Sequence, residues 1–269
     1  MSDANDDAVT AQHFVADEPG DPGRRAPAIR ARGIRVSGPW GPVYGPVDLD
    51  VDAGGVTVLQ CPTGSGRTAL LLTLAGRMKP KSGTISVFGR TRAKDIFAHS
   101  GLAGIDELDA VYESVTVGDL ITEQLRWAAR WYRLVPRADA DDLRRVCRPV
   151  FGDLPLPPLS EYVEELTELD RLLLRITLAN INRPELLVVG NLDYVTSDRN
   201  RELLLDRLIA LGADQTIVTT SVNPLAARDN LTQLPVENVA RAELARPAND
   251  PHPAPSPAAA VPAGEKGTE

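Results

Sequence analysis

The chain has 269 residues, 43% of them hydrophobic, and a formal net charge of −8. This length suffices for one domain with tails or for two small domains, and the acidic balance argues against a protein that coats nucleic acid. Its two cysteines, Cys61 and Cys147, give no disulfide framework and favour a reducing cytoplasm. The acidic first residues lack the apolar core of a secretory signal, and no apolar run reaches the roughly 18 residues of a membrane-spanning helix.

The two ends of the chain differ in composition from its middle. Residues 1–27 are rich in Asp, Ala, Gly and Pro, and residues 245–269 are rich in Pro and Ala. Segments of this kind bury too little apolar surface to fold alone, so both are predicted to be disordered tails. One ordered domain is expected over residues 28–244, without internal repeats.

The predicted elements of this domain alternate between short strands and helices. Strands are predicted at residues 28–36, 47–51, 55–60, 83–89, 185–189 and 215–220. Helices are predicted at residues 68–78, 116–134, 139–151 and 166–181. This alternation is typical of a mostly parallel sheet covered on both faces. The helical insert at about 116–182 is expected to form a subdomain.

The stretch CPTGSGRT, at residues 61–68, lies between a predicted strand and a predicted helix. A phosphate-binding loop has the pattern Gly, four residues, Gly-Lys, then Ser or Thr, in that same context. Here Gly66 and Thr68 match, whereas Cys61 replaces the first glycine and Arg67 replaces the lysine. We interpret Cys61 as a tolerated small residue; the alternative is a redox-sensitive thiol whose pKa is lowered by nearby amides.

The order of segments resembles the nucleotide-binding domain of an ATP-binding cassette (ABC) transporter. The resemblance rests on LAGRMKPKSGTISVFGR at residues 74–90, on RPELLVV at residues 183–189 and on the strand-loop-helix around Gly64. It covers about residues 28–240. It implies an α/β fold of the ABC type of P-loop NTPase, with a mostly parallel sheet, an antiparallel β subdomain and a helical subdomain.

The same resemblance implies cofactors and partners. Domains of this family sandwich ATP and Mg²⁺ in a homodimer or in a heterodimer with another nucleotide-binding domain. They dock onto an integral membrane subunit, which places them in the cytoplasm at the inner face of the cell membrane. No nucleic-acid partner is implied.

The resemblance also implies roles for the residues of the loop. Backbone N–H groups of Gly64, Ser65 and Gly66 would bind phosphate oxygens at a helix N-terminus, and the Thr68 hydroxyl would bind Mg²⁺. Arg67 stands where the family has lysine, and its longer, forked guanidinium keeps the charge but changes the fit. We therefore expect weak ATP binding. The alternative is that Arg67 reflects only this chain's general preference for arginine.

After the strand at residues 185–189, the family has an Asp that orients Mg²⁺ and a Glu that activates water. Those positions hold Gly190 and Asn191. Glycine offers no ligand, and an amide is a poor general base. Asp193 is interpreted as a solvated loop carboxylate; the alternative is that it substitutes for the lost Asp.

The family's Leu-Ser-Gly-Gly-Gln signature aligns with LTELD at residues 166–170. Thr167 keeps a hydroxyl, but Glu168 and Asp170 place carboxylates where a partner's terminal phosphate would lie, and like charges repel. The alternative interpretation is a simple helix start, with Thr167 as N-cap and Asp170 at the third helical position.

Three further family positions differ. The glutamine that follows the next strand is missing, and Asp106 or Glu107 lies in its region. The histidine that contacts the terminal phosphate aligns with Ser221. Trp40, or as an alternative Tyr44, corresponds to the aromatic residue that stacks on adenine. For both residues, the other interpretation is that the side chain only packs within the protein.

These differences lead to the functional prediction. The chain is expected to be an ABC transporter ATP-binding subunit that binds ATP weakly, couples to or regulates a membrane-spanning partner, and hydrolyses slowly or not at all. The alternative is a non-catalytic pseudo-ATPase that serves as a scaffold or regulatory module. Another phosphate-loop enzyme, such as a small-molecule kinase, is disfavoured because it needs a metal-orienting carboxylate and usually the lysine.

Overall fold

The computed structural model describes residues 27–39, 41–62, 64, 66–105, 114–132 and 134–236. Four residues with expected roles, Trp40, Ser65, Asp106 and Glu107, lie outside the described residues. The two predicted tails also lie outside them, except for Pro27.

Strands and helices alternate along most of the described chain. The order is β1 (Ile29–Gly38), β2 (Gly41–Val51), β3 (Gly55–Gln60), α1 (Arg67–Leu74), β4 (Ser82–Val87), α2 (Ala93–Ala98), β5 (Ser100–Ala103), α3 (Val117–Ala128), α4 (Ala140–Phe151), α5 (Glu168–Asn180), β6 (Leu186–Asn191), α6 (Asp198–Gly212), β7 (Thr216–Ser221) and β8 (Leu231–Pro235). Within the described ranges, no helix is both long and apolar enough to cross a membrane.

A parallel five-stranded sheet forms the centre, in the order β5-β6-β7-β3-β8. Its side chains alternate between two halves of the core, as the two-residue period of a strand dictates. In β6, Leu187 and Val189 pack with helices α3 to α6, whereas Leu186 and Val188 pack with α1 and the second sheet. Both faces are thus covered, which explains why β6 and β7 are almost wholly buried.

The second sheet is antiparallel, in the order β2-β1-β4. Its strand β1 alternates between buried and exposed residues, as expected for a sheet with one face toward the core. The predicted α/β fold, with a parallel sheet and an antiparallel sheet, is confirmed. Helices α3, α4 and α5 fall within the insert predicted at about 116–182.

Several element boundaries were predicted wrongly. The helix predicted at residues 68–78 ends at Leu74, and the chain turns at Gly76 with a positive φ of 68°. The helix predicted at residues 116–134 ends at Ala128, where the next residue is extended. Four further elements, α2, β5, α6 and β8, were not predicted from the sequence.

Strand β2 packs directly against the loop that precedes α1. Gly66, the N-cap of α1, has a φ of 70°, and a Cβ there would collide with the carbonyl of Val43. One residue further along β2, the buried Tyr44 donates a hydrogen bond of 2.7 Å from its hydroxyl to Thr73 Oγ1 of α1. The second glycine of the motif is therefore required by packing as well as by backbone conformation.

Two glycine substitutions separate these requirements. Gly64 also has a positive φ, of 73°, but a Cβ there meets nothing within 4 Å. Gly64→Ala should cost only the left-handed strain, about 1 kcal/mol of unfolding free energy. Gly66→Ala adds the collision with Val43 and should cost roughly 2 kcal/mol more. Urea unfolding followed by circular dichroism measures both; equal losses would contradict the packing argument.

Candidate functional site

The candidate site lies at the carboxyl ends of three neighbouring parallel strands, β6, β7 and β3. These ends meet at one edge of the sheet, where ligands of open α/β folds bind. The structure brings four of the sequence-predicted residues to this edge: Arg67, Thr68, Asn191 and Ser221. A cavity of about 90 Å³ lies at this edge, and its lining includes Arg67, Thr68, Asn191 and Thr220.

Arg67 forms an ion pair within the protein. Its Nη1 lies 3.0 Å from Oδ2 of Asp193, and the two side chains are only 13% and 26% exposed. The charge that replaces the family's lysine is therefore already paired with a carboxylate of the same chain.

Asp193 joins the loops that follow all three strands. Besides the guanidinium of Arg67, its carboxylate accepts a hydrogen bond of 2.8 Å from the backbone N–H of Val222 and lies 3.0 Å from the hydroxyl of Ser221. Its own N–H donates to Oδ1 of Asn191 at 3.1 Å. The interpretation of Asp193 as a solvated loop residue is wrong, because this carboxylate has three protein partners.

Gly190 has no room for a side chain. A Cβ at this position would lie far inside contact distance of the Gly104 carbonyl oxygen, because the two backbones touch there. The Gly190 carbonyl in turn accepts a hydrogen bond of 2.7 Å from the hydroxyl of Thr219. The absence of a carboxylate at this position is thus fixed by the packing of β6 against the end of β5.

The donors present suit a phosphate better than a metal ion. Gly66 precedes α1, whose N-terminus is a favourable anion site, and the buried hydroxyl of Thr220 has no hydrogen-bond partner among the described residues. Magnesium takes several oxygen ligands, and of the two positions that the resemblance assigns to the metal, Thr68 has an oxygen and Gly190 has none. The described residues contain no group of three or more His, Cys, Asp or Glu able to hold a metal.

The residues aligned with the family signature form a helix start. Thr167 is the N-cap of α5, and its hydroxyl oxygen accepts from the N–H of Asp170 at 3.1 Å. This confirms the alternative given for LTELD. The carboxylate of Glu168 accepts from the N–H of Thr196 at 3.2 Å and from its hydroxyl at 3.1 Å. Glu168 therefore links α5 to the segment that follows β6.

Two alternatives from the sequence are wrong. Burial raises the pKa of the Cys61 thiol to about 11, although Arg67 opposes the shift, so this is not a low-pKa, redox-sensitive thiol. Tyr44 is fully buried and hydrogen-bonded to Thr73, so its ring cannot stack on a nucleotide base. Sequence reasoning missed the Arg67–Asp193 pair and the close approach of Gly104.

A glycine loop that leads from a parallel strand into a helix, with a helical insert and an antiparallel sheet, defines a P-loop nucleotide-binding domain. The family model described as ABC transporter matches residues 44–188, more than half of the chain. The chain therefore belongs to the ABC transporter family, as an ATP-binding domain. Domains of this family generally bind ATP with Mg²⁺, dimerise and partner with membrane subunits.

Two relatives are cytochrome c biogenesis ATP-binding export proteins CcmA. The one from Cupriavidus pinatubonensis is 36% identical over 105 residues, which are 39% of this chain and 45% of that relative. The one from Pseudomonas putida is 29% identical over 162 residues, 53% of this chain and 77% of that relative. The chain thus spans less than half of the first relative.

Solved structures share the fold at low sequence identity. One is an ABC transporter ATP-binding protein from Pyrococcus furiosus, with a TM-score of 0.59 and 17% identity over 77% of this chain and 96% of that chain. Another is cbiO1 from Clostridium perfringens, part of the ABC transporter complex cbiONQ. It has a TM-score of 0.58 and 14% identity over 82% of this chain and 91% of that chain.

A substitution at Gly190 tests the contact with Gly104. Gly190→Ala should lower the free energy of unfolding by about 2–4 kcal/mol, because the new Cβ overlaps a backbone oxygen that cannot rotate away. The matched control is Gly38→Ala, where the nearest atom is a methyl group of Val43 at an ordinary 3.7 Å. Urea unfolding measures the free energy of unfolding of both variants and of the wild type. An unchanged stability for Gly190→Ala would show that the backbone at Gly104 moves aside.

The buried thiol predicts a dependence of stability on pH. The pKa of Cys61 rises from its ordinary value of about 9 to about 11 in the folded protein. As the pH rises above 9, the unfolded chain loses this proton first, so stability falls between pH 9 and pH 11. Cys61→Ala should therefore lose less stability between pH 8 and pH 10.5 than the wild type, by about 1–2 kcal/mol. Parallel pH profiles for the two proteins would contradict this prediction.

Proposed function

We propose that this chain is an ABC-type ATP-binding subunit that binds ATP weakly and couples to or regulates an integral membrane partner, with little or no hydrolysis. The Arg67–Asp193 ion pair is the observation that carries the proposal. It engages the cation of the phosphate loop before any phosphate arrives.

Weak binding follows from the need to break this pair. For Arg67 to reach a phosphate it must leave Asp193, whose carboxylate is largely withdrawn from water. Loss of a charged hydrogen bond at such a carboxylate costs about 1.5–3 kcal/mol. Each 1.4 kcal/mol is about tenfold in affinity. ATP should therefore bind roughly ten- to a hundredfold more weakly than to a loop whose cation is not already paired with a carboxylate. The backbone of Gly64 and Gly66 still offers N–H groups to the phosphates.

Slow hydrolysis follows from the residues present at three positions that act on water or the terminal phosphate in the family. Gly190 carries no carboxylate, the Asn191 amide oxygen accepts from Asp193, and the Ser221 hydroxyl lies against the same carboxylate. None of these groups is a general base. In a dimer, Glu168 and Asp170 would also bring negative charge toward the partner's terminal phosphate.

The partners follow from the family. We expect the chain to dimerise, as a homodimer or with another nucleotide-binding domain, and to lie at the inner face of the cell membrane on an integral membrane subunit. The CcmA relatives are named export proteins, which supports a transporter setting.

A second candidate is a scaffold that uses no nucleotide. The observation that favours it is the network of Arg67, Asp193 and Ser221, which joins the loop to the sheet without any ligand. Titration with nucleotide separates the two candidates.

Calorimetric titration with Mg-ATP is the test. We expect weak binding by the wild type and about tenfold tighter binding by Asp193→Asn, because the amide no longer competes for the guanidinium. Asp214→Asn, an exposed carboxylate away from the site, controls for the change in net charge. Phosphate release should stay at least 100-fold below the roughly 10 s⁻¹ of typical enzymes.

Three outcomes decide the matter. Micromolar binding with rapid turnover by the wild type would contradict the proposal. Binding by Asp193→Asn alone would identify the ion pair as the block. Absence of binding by the wild type, by Asp193→Asn and by Arg67→Lys at millimolar ATP would favour the scaffold.

A further inference from the structure

The end of helix α3 and the segment after it expose four large apolar side chains. Trp131 and Leu134 are each 96% exposed, Trp127 is 78% exposed and Tyr132 is 63% exposed. Single exposed apolar residues are ordinary on protein surfaces, whereas groups of them mark sites of interaction, and these four lie within residues 127–134. The other exposed aromatic residues that the structure describes, Phe97, Tyr162 and Tyr194, are scattered along the chain.

Arginines alternate with these apolar residues. Residues 123–137 contain four arginines against a single glutamate, in a chain whose formal net charge is −8. Three of the arginines lie within the described residues, namely Arg126, Arg130 and Arg137, and all three are exposed. We call Arg126, Trp127, Arg130, Trp131, Tyr132, Leu134 and Arg137 the aromatic-arginine surface.

The contacts of this surface hold its shape but leave its rings outside the core. Arg126 Nε donates to the carbonyl of Val135 at 3.3 Å, and Arg130 Nη1 donates to the Tyr132 hydroxyl at 2.9 Å. Trp131 and Tyr132 stack edge to face, with ring centroids 5.8 Å apart.

Acidic residues adjoin the aromatic-arginine surface at Asp119, Glu123 and Asp142, and Asp142 is paired with Arg145 beside the cavity that Leu134 lines. Arg137 pairs with Asp119 of α3 at 3.2 Å, and Trp127 Nε1 donates to Glu123 at 3.4 Å. The hydrogen bonds that Arg126 and Arg130 donate go to uncharged groups, the Val135 carbonyl and the Tyr132 hydroxyl, so these two residues keep the surface positive.

We propose that this protein touches the lipid bilayer directly, by inserting the aromatic-arginine surface into the headgroup region of an anionic membrane. Trp and Tyr rings are amphipathic and favour this region, whereas Leu favours the adjoining hydrocarbon. Arginine side chains keep their charge at the phosphates while their stems lie along apolar surface. The contact is interfacial and needs no membrane-spanning helix.

Charge favours a membrane over a protein as the partner. The chain as a whole is acidic, so an anionic bilayer repels most of its surface and attracts this part, which fixes the orientation. A protein that covered the rings would also bury the arginines between them, and each buried charge needs its own partner. The headgroup region solvates both kinds of side chain at once.

Vesicle binding by the purified full-length chain tests the proposal. We expect flotation with vesicles of mixed phosphatidylcholine and phosphatidylglycerol, a blue shift of tryptophan emission, and quenching by brominated lipid. Binding to phosphatidylcholine alone should be roughly tenfold weaker, and added salt should reduce binding to the anionic vesicles.

Matched variants locate the contact. The double variant Trp131→Ser, Leu134→Ser should lower binding by roughly tenfold, whereas Tyr162→Ser, an exposed aromatic outside the surface, should leave it unchanged. Arg130→Gln should weaken binding to anionic vesicles only, with Arg92→Gln as its control. The replaced side chains lie at the surface, so matching urea midpoints will confirm that the variants fold.

Several results would overturn the proposal. These are an absence of wild-type binding to anionic vesicles at low salt, equal binding by the double variant, and a surface that forms protein dimers while ignoring vesicles. The measurement uses the isolated chain without nucleotide. Failure of the membrane contact is therefore distinguishable from failure of the proposed ATP binding.

Discussion

The carboxylate of Asp193 holds together the loops at the carboxyl ends of three parallel strands. It pairs with Arg67 after β3, it belongs to the turn Leu192–Tyr194 after β6, and it accepts hydrogen bonds from the Ser221 hydroxyl and the Val222 N–H at the end of β7. The cation of the loop that resembles a phosphate cradle is therefore paired within the protein, and its charge is balanced by a carboxylate of the same chain.

Positions that carry chemistry in the family make structural contacts in this chain. Asn191 caps the turn that contains Asp193, and Glu168 binds the backbone of the segment after β6. Gly190 leaves space that the Gly104 carbonyl fills. A return to the family residue would break the contacts of Asn191 and Glu168 and would create an overlap at Gly190, so the present residues support one another structurally.

The fold could be predicted from the sequence because its apolar strands, glycine loop and helical insert follow one another in the order and at the separations along the chain that the ABC family has. It missed β5, which has only four residues, and β8, whose apolar positions are interrupted by Thr232 and Gln233. Helix α6 was readable, since Ser197 caps it and its leucines recur at helical spacing. The loop residues of the site could be predicted from a local motif, but the ion pair could not. Arg67 and Asp193 are 126 positions apart, and no local sequence pattern indicates such a contact.

Helix α5 is fixed at both ends. Its first turn is tied through Glu168 to Thr196, and its far end packs beside β5. Within the insert, Gln124 of α3 donates to the carbonyl of Leu178 at 3.3 Å. A rotation of the insert against the sheet would have to break the bonds between Glu168 and Thr196, whereas the bond between Gln124 and Leu178 would move with the insert. The position of α5 is therefore coupled to the segment that follows β6 through the carboxylate of Glu168.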